Sequence, residues 1–433
     1  MNLCLYEDRE AGTFGPLTLL RPVFGLRCGI LTLAEKVAAA FPEAQIHLLV
    51  RPHLEEWTRQ LYPTAHVGDP PQEETLFVNG RLCMTDDEVL HFMAASSHES
   101  SFMSQGVIFA AKVRGERVKH AVQFLREGDA ERAFEDLRYP ADVQGFLARS
   151  SADLIRWSPR QIVQDVKYLF EGGVMRGQID ETARLLKRDA IHLARGSRVM
   201  AGAVLNAEAG PIVIRENATV EPLVYIEGPA VVGEGSIVRA GARIRGGTSI
   251  GPVCRVGGEI AETVFQGYAN KQHDGFLGHS FVGEWVNLGA NTNTSDLKNT
   301  YTNVRHYRST RDYLDKKGED SGQLMLGLTV GDYTKTGIST SFTTGSTVGV
   351  GCNLYGTEVM PAYVPSFVWG RPGAFEEHKI DPMVETAMRA MERRQVPLAT
   401  EFDALLRRAH EESAADRQVF LDAMGNSGLV VRP

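Results

Sequence analysis

The chain has 433 residues, 43% hydrophobic and 23% charged, with a formal charge of −8 at pH 7 and a pI near 5.9. That length predicts two or three domains at roughly 150 residues each. The acidic balance argues against a nucleic-acid scaffold, so an anionic ligand would need a locally basic pocket. Five scattered cysteines (Cys4, Cys28, Cys83, Cys254 and Cys352) are odd in number and never spaced CxxC. They read as reduced thiols, not as a disulfide framework or a thiolate zinc site. The N-terminus MNLCLYEDREAG lacks a signal pattern and no run approaches ~18 apolar residues, so the expectation is a cytoplasmic protein without membrane spans.

Residues 1–190 alternate short apolar runs with helical spacing. Leu3–Tyr6, Ile46–Val50, Leu76–Val78 and Val107–Ala111 predict buried strands, and Thr32–Ala40 and Pro52–Leu61 predict helices between them. Such alternation favours an α/β domain with a largely parallel sheet. Arg117–Leu137 and Ala152–Phe170 predict two further helices.

Residues 191–370 carry a six-residue repeat. Ile214, Val220, Ile226, Val232, Val238, Ile244, Ile250 and Val256 fall six apart. Four places after the first seven stand Ala218, Val224, Ala230, Ser236, Ala242, Thr248 and Cys254. Three hexads make one triangular coil of about 18 residues, with the aliphatic residue inward and the small one near the corner. Glycines such as Gly235, Gly241 and Gly247 fit the turns. The period resumes at Leu324, Val330, Thr336, Phe342, Val348 and Leu354. Between the halves lies a polar segment, Val264–Asn303, and Phe276, Val282 and Leu288 within it restore the period in a shifted phase. Residues 371–433 predict a C-terminal helical segment, with helices from Asp381-Pro382 to about Arg394 and from Thr400 to Glu412, the second capped by Thr400.

No P-loop, GxSxG elbow or HExxH is present. The polar segment is the place for chemistry. His273 is a base candidate, beside Lys271, Gln272 and Asp274, with Asn287, Asn291, Asn293, Lys298 and Asn299 following. An imidazole, which ordinarily titrates near ~6.5, suits proton abstraction at neutral pH. Lys271, Lys298 and Lys335 are candidate phosphate ligands.

The runs NKQHDGFLG, GEWVNLGANTNTSDLKNTY and KTGISTSFTTGSTVG, following the hexads, resemble the acetyltransferase half of the bifunctional N-acetylglucosamine-1-phosphate uridyltransferase / glucosamine-1-phosphate N-acetyltransferase family. The likeness is to its divergent bacterial branch, whose N-terminal signature is similar to Leu20-Arg21-Pro22, Leu26–Thr32 with Glu35-Lys36, and Phe77–Leu82. The resemblance implies a nucleotidyltransferase-like (Rossmann-like) domain over 1–190 and a left-handed parallel β-helix acyltransferase domain over 191–370, followed by the helical appendage. It implies acetyl-CoA as co-substrate, UTP with Mg²⁺, a sugar phosphate as acceptor, and a homotrimer with sites between subunits.

The resemblance also assigns residues. His273 matches the family's general base and Asn287 an asparagine near the sugar, while Lys271 falls one position from a family lysine. With Gln272, Asn291, Lys298 and Lys335 these form the expected sugar-phosphate and acetyl-CoA set. Arg21, Arg27, Gly29, Lys36, Asn79 and Arg81 form the expected nucleotide set, with Thr32 offering helix N-terminal donors. Four departures stand out: Phe276 for a tyrosine, Ala261 for a sugar-binding lysine, Asp296-Leu297 for an Asn-Tyr pair, and Asn79-Gly80-Arg81 for the Gly-Asp that binds magnesium. An arginine does not ligate Mg²⁺, which leaves Asp86 or Asp87 as substitutes. Two other readings stay open: a nucleotidyltransferase with the coil as trimerisation scaffold, and a non-catalytic sugar-nucleotide-binding protein.

Overall fold

A computed structural model describes all residues except 84–86, 97, 105, 136, 138–139, 143–144, 171–173 and 425–433. The chain divides into two compact units. The first holds Met1–Phe14, Thr18–Leu26 and Leu31–Leu154; the second holds Gly15–Leu17, Arg27–Ile30 and Ile155–Pro433.

The first unit is an α/β layer. Its strands are β1 (Asn2–Tyr6), β2 (Gln45–Leu49), β3 (His66–Val67), β4 (Thr75–Asn79), β5 (Leu82–Cys83), β6 (Ser100–Ser104), β7 (Val107–Val113), β8 (Pro140–Asp142) and β9 (Phe146–Leu147). The main sheet has the order β3-β2-β1-β4-β7-β6-β8. It is parallel from β3 to β4, but β7 runs antiparallel to both β4 and β6. The expected largely parallel sheet is therefore present: β8 pairs parallel with β6, four of the six pairings are parallel, and β7 alone is reversed, through its hairpin with β6. Helices α1 (Leu33–Ala40), α2 (Glu55–Leu61), α3 (Asp87–Ala95), α4 (Glu116–Arg126) and α5 (Ala130–Ala133) follow their strands. The single helix expected over Arg117–Leu137 is two, because Gly128 takes a φ of +76 and Asp129 caps a new start. Cys4, Tyr6, Phe77, Ala111, Val118, Ala121, Leu125 and Phe134 form one buried core between sheet and helices.

The second unit begins inside α6 (Ser151–Leu169) and is dominated by a parallel β-helix. Its rungs build three sheets, one per face of the triangle. Eighteen-residue rungs are regular where the hexads are regular, as Ile212 pairing with Ala230 shows. The first coil strand is Gln178–Ile179, ahead of the expected start at residue 191. The early rungs are longer, Arg198 pairing with Thr219, which hides the hexad phase in the sequence. Ile214, Val220, Ile226, Val232, Val238, Ile244, Ile250 and Val256 are all at most 1% exposed, as are the small residues four places on. At the corners glycine is a steric need: a Cβ on Gly233 would lie 2.4 Å from the Gly251 carbonyl carbon one rung away.

The polar segment differs from expectation. Val264–Phe265 and Asn270–Lys271 are ordinary rung strands, in register with Ser249–Ile250 and Arg255–Val256. The rungs merely shorten: Arg243 pairs with Glu259, sixteen on, and Arg255 with Asn270, fifteen on. This moves the inward position from Phe276 to Leu277, which pairs with Ile260 and is 1% exposed. The long excursion lies instead between Thr294 and Leu328, since Val282 pairs directly with Val330. It carries the hairpin Arg305–His306 with Glu319–Asp320 and the helix α7 (Thr310–Leu314). Leu324, expected inward, is 54% exposed on that excursion, while Leu328 is fully buried.

Helices α8 (Ile380–Glu392), α9 (Thr400–Glu412) and α10 (Ala414–Met424) count with the coil, not as a separate segment. Ala399, not Thr400, stands at the N-cap of α9. α10 packs through Phe420 on Phe375, while α8 and α9 dock on an aromatic ladder at one corner, where Tyr268, Trp285 and Tyr333 take φ of +52, +58 and +62. The rings stack at 4.4 and 6.2 Å between centroids, and Tyr333 meets Phe402 at 5.7 Å. Stacking offsets left-handed backbone at residues that carry a Cβ. All five cysteines are buried free thiols. Among the described residues no helix is long and apolar enough to cross a membrane.

Candidate active site

The turn His273-Asp274-Gly275 leaves the coil at the corner between strands Asn270–Lys271 and Phe276–Gly278. His273 is exposed. The turn is sandwiched between rungs: a Cβ on Gly258 would lie 2.9 Å from the His273 carbonyl oxygen, and one on Gly275 would lie 2.3 Å from the Thr292 carbonyl oxygen. Asn291 N–H donates to the Asp274 carbonyl at 2.9 Å, and Phe276 N–H donates to Asn293 Oδ1 at 2.9 Å. Both ends of the turn are thus held by the next rung, which fixes where the imidazole stands.

Lys271 occupies an unexpected place. It pairs with Val256 in the inward column and is fully buried. Its ammonium donates to the carbonyls of His273, of Asp274 at 3.0 Å and of Gly257 at 3.5 Å. Burial lowers its pKa to about 8, against a smaller opposing pull from Asp274. Lys271 is therefore a strut beneath the His273 turn, not the phosphate ligand expected of it. The backbone alternation is the reason: Asn270 faces out, so Lys271 must face in.

The other expected residues distribute over two faces and the excursion. Gln272 is exposed beside His273. Asn291 lies at the same corner, bonded through Nδ2 to Ser339 Oγ at 3.3 Å. Asn287 and Lys335 face outward on the adjoining face, neighbours in register. Burial lowers Lys335 to about 8, with its ammonium 3.3 Å from the Tyr333 carbonyl oxygen. Lys298 is half-buried on the excursion and donates to the Asn303 carbonyl at 2.7 Å.

Sequence reasoning missed His279. Its Nδ1 lies 2.8 Å from Asp296 Oδ2 and its Nε2 lies 3.6 Å from Glu262 Oε2. Burial opposes its charge, but hydrogen bonds with Asp296 and Glu262 prevail and raise it to about 9. Asp296 also receives Leu326 N–H on its carbonyl and Gly327 N–H reaches the His279 carbonyl, both at 2.8 Å, so the pair pins the root of the excursion. A folded pKa above the ordinary ~6.5 means the stabilisation is complete below that value and lost as pH rises through 9. Asp296→Asn should cost about 1.5 kcal/mol at pH 6. It should also flatten the fall in Tm between pH 6.5 and 9, read by thermal melts against wild type. An unchanged slope would refute the pairing.

In the first unit the expected nucleotide residues are largely engaged elsewhere. Arg81, 3% exposed, clamps both oxygens of Asp8 and donates to the Ala148 carbonyl at 2.8 Å. Asn79 Nδ2 donates to Asp8 at 2.7 Å, and its Oδ1 accepts Arg81 N–H at 2.9 Å. Thr32 and Glu35 cap α1 reciprocally, which engages the Thr32 and Glu35 N–H groups at the helix start expected to meet phosphate. Lys36 is buried on α1 at 1% exposure, and Arg21 is 6% exposed. Arg27 and Gly29 lie in the second unit. Arg27 N–H donates to Gln266 Oε1 at 3.0 Å, and the Gly29 carbonyl accepts Ser249 Oγ–H at 2.6 Å. Gly29 has φ +87, and a Cβ there would meet Gln161 at 2.7 Å. A glycine at this position is therefore a packing requirement.

Residues 3–173 match the sugar nucleotidyl transferase family, and residues 211–246 match six repeats of the bacterial transferase hexapeptide. The chain joins a sugar nucleotidyl transferase domain to transferase hexapeptide repeats. It is 31% identical over 166 residues to the bifunctional protein GlmU of Acidithiobacillus ferrooxidans, 38% of this chain and 32% of that protein. To the bifunctional protein GlmU of Rippkaea orientalis it is 31% identical over 137 residues, 31% of this chain and 28% of that protein. The matches span about a third of these relatives' own length. Among solved structures, the UDP-N-acetylglucosamine acyltransferase from Campylobacter jejuni is 13% identical with a TM-score of 0.21, over 59% of this chain and 98% of that one. The Arabidopsis UDP-N-acetylglucosamine acyltransferase is 12% identical with a TM-score of 0.26, over the same shares.

In the nucleotidyl transferase domain the place expected for magnesium does not fit the ion. Asn79 and Arg81 surround Asp8, and the guanidinium already neutralises that carboxylate. The neighbouring Glu7 is likewise held by Arg51, at 3.0 and 3.2 Å. Asp86 and the side chain of Asp87 lie outside the described residues. Among the described residues no cluster of histidines, cysteines and carboxylates has metal-binding geometry.

Proposed function

We propose that the hexapeptide coil is an acetyl-CoA-dependent N-acetyltransferase acting on an amino-sugar 1-phosphate, glucosamine-1-phosphate first, with His273 as general base. The observation that carries this reading is the His273 turn, an exposed imidazole on a corner fixed from above by Asn291 and from below by Lys271. The attacking amine must be neutral. His273 takes a proton from the amine as nitrogen bonds to the thioester carbon, the tetrahedral adduct expels the thiolate, and an amide remains. The thiolate of a cysteine-like thiol, with a pKa around 8.5, leaves with little help. Coarse support comes from the transferase hexapeptide match and the likeness to bifunctional proteins.

The first domain's reaction, on the same reading, is uridylyl transfer from UTP to the sugar 1-phosphate, supported by the family match over 3–173. The engagement of Asp8 by Arg81 favours a second reading, in which this domain binds a sugar nucleotide without transferring it. The test is incubation with acetyl-CoA, UTP, Mg²⁺ and a panel of amino-sugar 1-phosphates, with thiol and pyrophosphate assayed separately. Thiol release dependent on the amino sugar supports acetyl transfer, and its absence across the panel overturns it. Pyrophosphate release decides between the two readings of the first domain.

A further inference from the structure

In the first unit the chain runs from β1 through β2 to β3 on one side and returns to β4 on the other side of β1. The topological switch point, where open α/β sheets take their ligands, therefore lies between the C-terminal ends of β1 and β4. Two carboxylates, Glu7 and Asp8, follow β1 there, and Asn79-Gly80-Arg81 ends β4 beside them, with Tyr6 in register with Asn79. Gly80 permits the close turn: a Cβ there would lie 3.0 Å from the Tyr6 carbonyl oxygen and 2.8 Å from the Phe24 ring.

Each of the four carboxylate oxygens is already answered by the chain itself. Asp8 Oδ1 accepts Arg81 Nε–H at 2.8 Å, and Oδ2 accepts Arg81 Nη2–H at 2.5 Å and Asn79 Nδ2–H at 2.7 Å. Glu7 Oε1 accepts Val23 N–H at 2.8 Å and Arg51 Nη2–H at 3.2 Å. Its Oε2 accepts Arg51 N–H at 3.1 Å and Arg51 Nε–H at 3.0 Å. The amide oxygen of Asn79 is used too, by Arg81 N–H at 2.9 Å. Both guanidinium groups are held from behind, Arg81 by the Ala148 carbonyl at 2.8 Å and Arg51 by the Thr18 and Arg21 carbonyls at 2.7 and 3.2 Å. The Arg81 and Asp8 side chains are 3% and 9% exposed.

We infer that this crevice is a metal-free site, in which Arg81 and Arg51 are permanent counter-ions and an anionic ligand is taken without a divalent cation. Such an ion needs oxygen lone pairs at about 2.0–2.6 Å, and here it must first displace a bidentate arginine from either carboxylate. A guanidinium stays charged at any ordinary pH, so titration does not open the pairs. Breaking one leaves a buried charge uncompensated, which opposes exchange of the arginine for an ion. Two fixed cations thus do permanently what an exchangeable ion does only at sufficient concentration. The inference deepens the binding-only reading of the first domain, and its main readout is ion binding, so the two fail separately.

Titration of the full-length protein with Mn²⁺, followed by the EPR signal of the free ion, tests this. The wild type should show no saturable site below millimolar Mn²⁺, and neither Mn²⁺ nor Mg²⁺ should move its Tm. Arg81→Asp exchanges the guanidinium for a second carboxylate. It should bind Mn²⁺ at least about tenfold tighter than wild type, with a Tm that Mn²⁺ raises. Arg81→Asn, which frees Asp8 without adding charge, is the milder variant and should gain in the same direction. A saturable Mn²⁺ site in the wild type overturns the inference, as does an Arg81 variant that folds yet gains no affinity. Should neither variant fold, the wild-type titration decides alone. By calorimetry, UDP-N-acetylglucosamine should bind with the same affinity in EDTA and in Mg²⁺, and affinity lost in EDTA also overturns the inference. No binding of that probe in either buffer refutes the binding-only reading, while the ion titration still decides this one.

Discussion

His273→Ala should lower acetyl transfer by ~10²–10⁴-fold, about 2.7–5.5 kcal/mol in barrier. The imidazole is exposed on its turn, and the turn is held by its main-chain carbonyls, which accept from Lys271 and from Asn291 N–H, and by Phe276 N–H, which donates to Asn293. Its removal should therefore leave the melting temperature where it is, so a rate loss is chemical and not a loss of fold. The loss should fall on kcat with the KM for acetyl-CoA little changed, because the proton moves only in the transition state. Thiol release near the wild-type rate would remove His273 from the reaction. Exogenous imidazole restoring part of the lost rate would point to the missing base itself.

The coil was legible because eight aliphatic residues six apart leave few alternatives, and all eight prove to be buried. What could not be read was where the rungs lengthen or shorten. Rungs of about twenty residues near Arg198 and of fifteen near Arg255 both keep the backbone ladder while breaking the hexad phase. A ladder specifies strand pairs, not corner lengths, and corners absorb the difference. The same one-residue slips decide which face a side chain meets. They turned Phe276 outward and Leu277 inward, and placed Lys271 in the interior. The place of His273 was legible because it depended on the polar run itself. The engagement of Arg27, Gly29 and Arg81 was hidden for another reason. Each is positioned by a partner far away in sequence, Gln266, Ser249 and Asp8 respectively. Nothing local in those stretches encodes such pairings. His279 and Asp296, seventeen residues apart, were hidden in the same way.

Lys271→Met should reduce acetyl transfer about 10–100-fold while the chain stays folded, the range expected when a positioned group loses its support. Methionine keeps the length of the side chain and fits an inward column that holds Val256 on the preceding rung. It removes the only side-chain donor seen at the His273 and Asp274 carbonyls among the described residues. Two opposed effects then act on stability. The His273 carbonyl loses the Lys271 donor, at about 1–3 kcal/mol for a buried unsatisfied group, the Asp274 carbonyl keeps Asn291 N–H, and the cost of burying an ammonium disappears. The net change in Tm is accordingly small, and the rate is the sharper reading. Hydrogen exchange gives a second one without turnover: the amides from Asp274 to Phe276 should exchange faster in the variant. The pH dependence separates a strut from a spacer. With Lys271 titrating at about 8, well below an ordinary lysine, the wild-type turn should loosen as pH rises through that value. Neutral lysine holds two donors where the ammonium held three, and it loses the charge that strengthens them. Folded-state stability itself moves the other way, since a lowered lysine pKa makes the fold gain between 8 and the ordinary value near 10.5. Exchange at the turn that rises above pH 8 in wild type but is already high and flat in Lys271→Met would identify the ammonium as what holds His273 in place. Equal profiles in both proteins would show that the rung above, through Asn291 and Asn293, suffices alone.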